Sequence, residues 1–194
     1  MGRKLLILLL LFSGCADAEV NPEDLVQAAI ERTGNVVRYD GRYVTIPYPG
    51  GDVPGDTGVC TDVIIRSYRK VGIDLQRLVH EDMSAHFVLY PSKKLWGLKQ
   101  PDANIDHRRV PNLRVFFARH GQTLPLSADP HDYLPGDLVT WMLPGELPHI
   151  GIVTDRLDSD SGNPLIVHNV GLGPRMEDRL FAYRITGHYR YLPE

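Results

Sequence analysis

Apolar residues recur at helical spacing through the first half of the chain and fall into short runs in its last third. Residues 20–34 put Leu25, Ala28 and Ala29 on one face, the period of an amphipathic helix. The ends of that helix are marked as well. Asn21 can cap it, Pro22 suits the first position, Glu23 and Asp24 sit at the positive end of the dipole, and Gly34 can close it. Residues 36–49 read as extended, with a turn at Asp40-Gly41 between Tyr39 and Tyr43. Gly, Pro and Asp then dominate a loop. Residues 60–71 carry an apolar stripe of Val63, Ile64, Tyr68 and Val71, ended by Gly72. Further helices are predicted at 74–89 and 113–120, with a polar stretch over 91–111 between them. Short strands are predicted at 137–142, 150–155, 165–170 and 182–191, joined by turn-rich segments. Helices first and antiparallel strands afterwards make an α+β chain. With no internal repeat and no linker, one domain is the expectation for 194 residues.

Residues 1–18 stand apart from this pattern. Arg3 and Lys4 precede an apolar run from Leu5 to Phe12, and small residues follow to Ala18. That is the layout of a secretory signal peptide, and the apolar run is too short to span a membrane. Ala16-Asp17-Ala18 offers a cleavage site that leaves a single domain over 19–194. Alternatively, Ser13-Gly14-Cys15 resembles a bacterial lipobox, with cleavage before Cys15 and lipid attached to it. Both routes predict a periplasmic or cell-envelope protein, free or lipid-anchored. The formal charge of −3 supplies no basic footprint, which argues against a nucleic-acid partner.

Export changes the meaning of the cysteines. There are two. Cys15 is removed or lipidated, so Cys60 stands unpaired in an oxidising compartment, either as a reactive thiol or as a small buried apolar group. It follows a Gly-rich loop and opens a helix, where free N–H groups and the dipole favour thiolate and can hold an oxyanion. Among eight histidines, His149 and His168 lie at strand ends. A hairpin centred near Ser159-Asp160 puts His149 opposite Val170 and His168 opposite Gly151. The two rings are then diagonal neighbours on one face, and Asn169 points to the other. That is the geometry of a base and the group that orients it. Cys60, His149 and His168 are also zinc-ligand types. The chain has no His-Glu-x-x-His or Cys-x-x-Cys spacing, so neither a metal nor a cofactor is expected.

Four blocks carry a family resemblance. They are Gly58-Val59-Cys60-Thr61-Asp62, Leu134-Pro135-Gly136-Asp137-Leu138-Val139, Pro148-His149-Ile150-Gly151-Ile152-Val153 and Ile166-Val167-His168-Asn169. In order and spacing they resemble the NlpC/P60 superfamily of papain-like cysteine hydrolases. Pro49-Gly50-Gly51-Asp52 and Asp106-His107-Arg108-Arg109-Val110-Pro111-Asn112-Leu113 are similar to a YijF-type family of bacterial envelope proteins. The resemblance implies a papain-like fold, with N-terminal helices packed on an antiparallel sheet. It implies Cys60 as nucleophile, His149 as base, and His168 as the group behind it. Where the superfamily has Asp-Cys-Ser-Gly, this chain has Val59-Cys60-Thr61-Asp62, and its insert before the Pro-Gly-Asp strand is long. That insert and the Cys helix supply Asp62, His107, Arg108 and Arg109 as candidate substrate contacts, since Arg suits a carboxylate. The implied activity is that of an amidase or peptidase on cell-wall peptides through a thioester. A peptide-binding module without catalysis, and a thiol acyltransferase, are the alternatives.

Overall fold

In the computed structural model, which describes residues 20–193, the predicted helices and strands resolve into five α-helices and eight strands. Helix α1 (Pro22–Arg32) begins as its sequence dictates, with the Asn21 side chain accepting the Glu23 N–H at 2.9 Å and Leu25, Val26, Ala28 and Ala29 buried. Helix α2 (Cys60–Lys70) packs on it and is buried along its first nine residues, Cys60 to Tyr68. Val59 precedes α2 and has no side chain able to cap it. Asp62 does half of that work by accepting the Val59 N–H at 2.7 Å. Helix α3 (Leu75–His86) is capped by Asp74 and runs into a 3₁₀ turn, Phe87–Leu89.

The stretch expected to be merely polar is more structured than that. It holds helix α4 (Ser92–Trp96), which closes on Gly97 at φ 67°, and a 3₁₀ turn, Asp106–Arg108. Helix α5 (Val110–His120) starts three residues before the expected position, with Pro111 in its first turn.

Two short strands, β1 (Arg38–Tyr39) and β2 (Thr57–Gly58), pair in parallel ahead of α2, with Tyr39 opposite Gly58. The remaining strands are β3 (Gln122–Thr123), β4 (Leu138–Leu143), β5 (Leu147–Leu157), β6 (Pro164–His168), β7 (Arg175–Glu177) and β8 (Arg184–Arg190). They form one antiparallel sheet in the order β3-β8-β4-β5-β6-β7. Alternation along the strands divides the core. Leu138, Ile150, Ile152 and Val167 meet Leu25, Cys60, Ile64 and Tyr68 on the helical side, while Val139, Trp141, Val153 and Ile166 pack with Tyr133 and Leu180 on the other.

The Pro-Gly-Asp block has a structural reason. Gly136 sits at φ 88°, a conformation that favours glycine. Asp137 is fully buried and accepts from the Leu134 N–H (2.9 Å), from Arg190 Nε and Nη2 (2.7 and 2.9 Å) and from His188 Nε2 (2.8 Å). This ties the start of β4 to β8 and fixes the sheet beneath α2. The expected signal peptide and Cys15 lie outside the described residues.

Candidate active site

Cys60 is the first residue of α2 and is buried at 5 % exposure against β5. Its setting differs from the expectation of an activated thiol. Burial pushes it up to about 12, although the N–H groups of Ile150, Thr61 and Cys60 itself act the other way. The helix start favours the thiolate as foreseen, and desolvation outweighs it. The Ile150 N–H at the sulfur also places the adjoining main chain of His149 beside Cys60.

His149 and His168 are brought together. The register Ile152↔Val167 and Val153↔Ile166 is the one expected from a hairpin centred on residues 159 and 160. His149 Nε2 and His168 Nδ1 are 2.9 Å apart, with the rings at 80° to each other. Both side chains are buried. Because Nε2 of His149 faces His168, Nδ1 is its one nitrogen left for a proton from a thiol or a substrate. In this resting arrangement His149 is hydrogen-bonded to His168 rather than to the thiol. Burial, then repulsion from the charge His168 would carry when protonated, pushes His149 down to about 3. His168 is lowered too, first by burial, against the raising influence of Glu177. Both imidazoles are therefore neutral at neutral pH. The Trp141 ring, directly across from His149 on β4, packs 5.9 Å from its centroid.

The group behind His149 is His168 and not Asn169. The Asn169 Oδ1 accepts the Gly171 N–H at 3.0 Å, and its buried Nδ2 has no protein partner. Gly151 makes room for the histidine pair. A Cβ there would lie 2.6 Å from Ile166 Cγ2 and 3.2 Å from His168 Cβ.

The candidate substrate contacts divide. Asp62 and Arg108 are both buried and hold each other through two 2.9 Å bonds, so the Arg108 charge is already matched by Asp62. They brace the start of α2, where Thr61 Oγ1 also donates to the Arg108 carbonyl at 3.0 Å, and Arg108 reaches the wall of the cleft that Arg109 lines with its charge already paired. His107 is 2 % exposed and pushed down to about 3, first by burial and then by Arg108, which makes it a neutral interior ring. Arg109 is partly exposed. Its guanidinium lies 4.1 Å over the Trp96 ring and pairs with Asp106 at 3.2 Å. It lines a cleft of about 320 Å³ with Gly41, Tyr43, Val59 and Trp96, immediately before Cys60 in the chain.

Three residues of the site escaped the sequence. Tyr39, half exposed on β1, is close enough to Cys60 and Asp62 that their charges add to burial in pushing its hydroxyl up to about 12. The signal was available in the Tyr39 to Tyr43 turn, but its pairing with β2 was not. Glu177 and Arg179 lie behind His168, with Glu177 Oε2 3.4 Å from His168 Nε2 and 3.0 Å from Arg179 Nε. Strand β7 is too short to leave a readable alternation. Among the described residues, no three His, Cys, Asp or Glu side chains converge as a metal site.

The profile of the family described as "Domain of unknown function (DUF1287)" matches residues 26–191. The chain is 52 % identical over 167 residues to the uncharacterized protein YijF of Escherichia coli (strain K12), covering 86 % of this chain and 80 % of that one. Among solved structures, NlpC1 from Trichomonas vaginalis is similar at a TM-score of 0.48 and 17 % identity. The match spans 92 % of this chain and 47 % of that one, so the chain corresponds to about half of its length.

Proposed function

This chain belongs to the DUF1287 family, and we propose that it is an exported cysteine hydrolase that cleaves an amide bond in cell-wall peptides. The observation that carries the reading is the His149–His168 pair, hydrogen-bonded at 2.9 Å on the strand whose Ile150 N–H faces the Cys60 sulfur. His149 directly precedes that Ile150 in the chain, so the oriented pair and the thiol meet the same short segment of β5. The motif resemblance supplies the reaction class, and the signal-like leader supplies the location.

In the proposed reaction, His149 Nδ1 takes the Cys60 proton as the sulfur adds to the amide carbonyl. N–H groups at the start of α2 stabilise the oxyanion. The C–N bond then breaks, and His149 returns the proton to the leaving amine, leaving a thioester on Cys60. Water attacks that thioester and gives a proton to His149. The C–S bond breaks, the acid is released, and the thiol is restored.

Purified sacculi or muropeptides incubated with wild type and Cys60→Ala test the proposal. The expected result is new amine and carboxylate ends with wild type alone. Equal products from both proteins, or none from either, would remove the assignment. A thiol held protonated by burial also suits a module that binds wall peptides without cutting them. That second reading predicts co-sedimentation of wild type and Cys60→Ala with sacculi to the same extent and no cleavage by either.

A further inference from the structure

We infer that Glu177 is a positioning residue: its carboxylate selects the tautomer of His168 and, through it, the tautomer of His149 that leaves a lone pair on Nδ1. Its catalytic consequence rests on the function proposed above, and the tautomer selection itself does not.

The inference follows from counting protons. A single hydrogen lies between His149 Nε2 and His168 Nδ1, which are 2.9 Å apart. Two neutral arrangements satisfy that contact. In the first, His149 donates from Nε2. His168 then accepts at Nδ1 and carries its own hydrogen on Nε2, and the lone pair of His149 is left on Nδ1. In the second, His168 donates from Nδ1. The Nε2 of His168 then bears a lone pair, and His149 carries its hydrogen on Nδ1, where it can take no proton from a thiol. The ring pair alone does not choose between them.

Glu177 makes the choice. It lies diagonally across the β6–β7 pair from His168, since Ile166 is opposite Glu177 and His168 is opposite Arg175. Its Oε2 is 3.4 Å from His168 Nε2. That approach is off the direct hydrogen-bond line, and the buried Nε2 has no other partner. Arg179 Nε holds Glu177 Oε2 at 3.0 Å, and Arg175 stands 3.9 Å from its other oxygen. Burial would raise the Glu177 carboxyl, but its contacts with Arg179 and His168 hold it below the usual range, so it is ionised at neutral pH. An ionised carboxylate only accepts. In the second arrangement a lone pair would face that carboxylate with no hydrogen between them. The first places an N–H there. The relay therefore runs from Arg179 through Glu177 and His168 to a His149 whose free nitrogen is Nδ1.

Long-range ¹H–¹⁵N NMR on the ¹⁵N-labelled protein at neutral pH reads the tautomers without a substrate. The expected wild-type spectrum shows both rings protonated at Nε2 and bare at Nδ1. Glu177→Ala should convert each ring to a mixture, while the amide spectrum reports an intact fold. Hydrogens on both Nδ1 atoms in wild type overturn the inference, and so does an unchanged imidazole spectrum in Glu177→Ala. With a cleavable wall peptide, kcat should fall about 10- to 100-fold with KM unchanged, by analogy with the carboxylates that orient metal-bound histidines. Should no peptide be cleaved, the NMR result still decides the role of Glu177, so failure of the proposed reaction and failure of the relay are distinguishable.

Discussion

Replacing Arg108 with Met should be among the most damaging changes available outside the proposed reacting groups. The guanidinium and the Asp62 carboxylate have side-chain exposures of 2 % and 3 %. Two 2.9 Å bonds join them, and Arg108 also reaches the carbonyls of Arg42 and Asp40 at 3.4 Å. Met fills much of the apolar stem but removes the charge. Asp62 is left buried as an anion with the Val59 N–H as its remaining bond. Breaking a buried pair by removing one partner costs about 3–5 kcal/mol. For a domain of this size, each kcal/mol moves Tm by about 2–4 °C, so the expected drop is roughly 6–20 °C.

Urea unfolding followed by circular dichroism measures this directly. A second variant makes the reasoning strict. Asp62→Leu with Arg108→Met removes both charges, and its loss should fall well short of the sum of the two single changes. Arg108→Met costing under about 1 kcal/mol would put the pair with exposed salt bridges and refute its role as a buried brace. Additive losses in the double variant would do the same.

Gly151→Ala pushes a methyl to 2.6 Å from Ile166 Cγ2 and 3.2 Å from His168 Cβ. It should separate the histidine pair and remove the downfield imidazole N–H signal of the His149–His168 bond, while stability falls by about 1–3 kcal/mol. Burial would raise the Asp137 carboxyl, but His188, Arg190 and the Leu134 N–H together hold it below the usual range. Its folded value lies under its unfolded one, so the stability it contributes is present above about pH 4 and is lost as pH falls below that. Asp137→Asn should therefore lower stability at pH 7 and flatten its acid limb in a pH series of melts. Alkylation of Cys60 by iodoacetamide should keep accelerating above pH 9, because the folded thiol is pushed up to about 12. A rate that levels near pH 8.5, the value for a free thiol, would show that the buried setting does not control it.

The legible parts were those set by local pattern. The cap and stripe of α1, the start of α2 at Cys60 and the β5–β6 register all follow from residues near in sequence. The hairpin is not symmetric: Leu157 pairs with Pro164, and a register shift between Val153 and Leu157 brings Ile152 opposite Val167, the pairing that a centre at 159 and 160 implies for the histidine end. Two-residue strands left no period to read, so β1 lay inside a stretch expected to be extended while β2, their pairing and the approach of Tyr39 to Cys60 were missed. The long-range partners were invisible for a different reason. Asp62 and Arg108 are 46 positions apart, and a free charge and a paired one look alike in sequence. The His107-Arg108-Arg109 run therefore suggested three substrate-facing groups, whereas packing buries His107, pairs Arg108 with Asp62 at the cleft wall and leaves Arg109 partly exposed.

Burial reverses one expectation in a way that bears on the chemistry. A helix start alone pulls a thiol toward thiolate, and a nearby imidazole alone invites an ion pair. In this site desolvation is the largest influence on both groups and acts against charge on each, raising Cys60 and lowering His149. The resting pair is thus a neutral thiol and a neutral base. A thiolate–imidazolium pair formed in advance is disfavoured, so in the proposed reaction proton transfer goes with carbon–sulfur bond formation, when negative charge passes to the substrate oxygen. The base must then offer a lone pair, and not a hydrogen, at that moment. The neutral tautomer of His149 consequently matters more here than its charge, and the residues behind it on β6 and β7 are as much a part of the proposed machinery as the thiol.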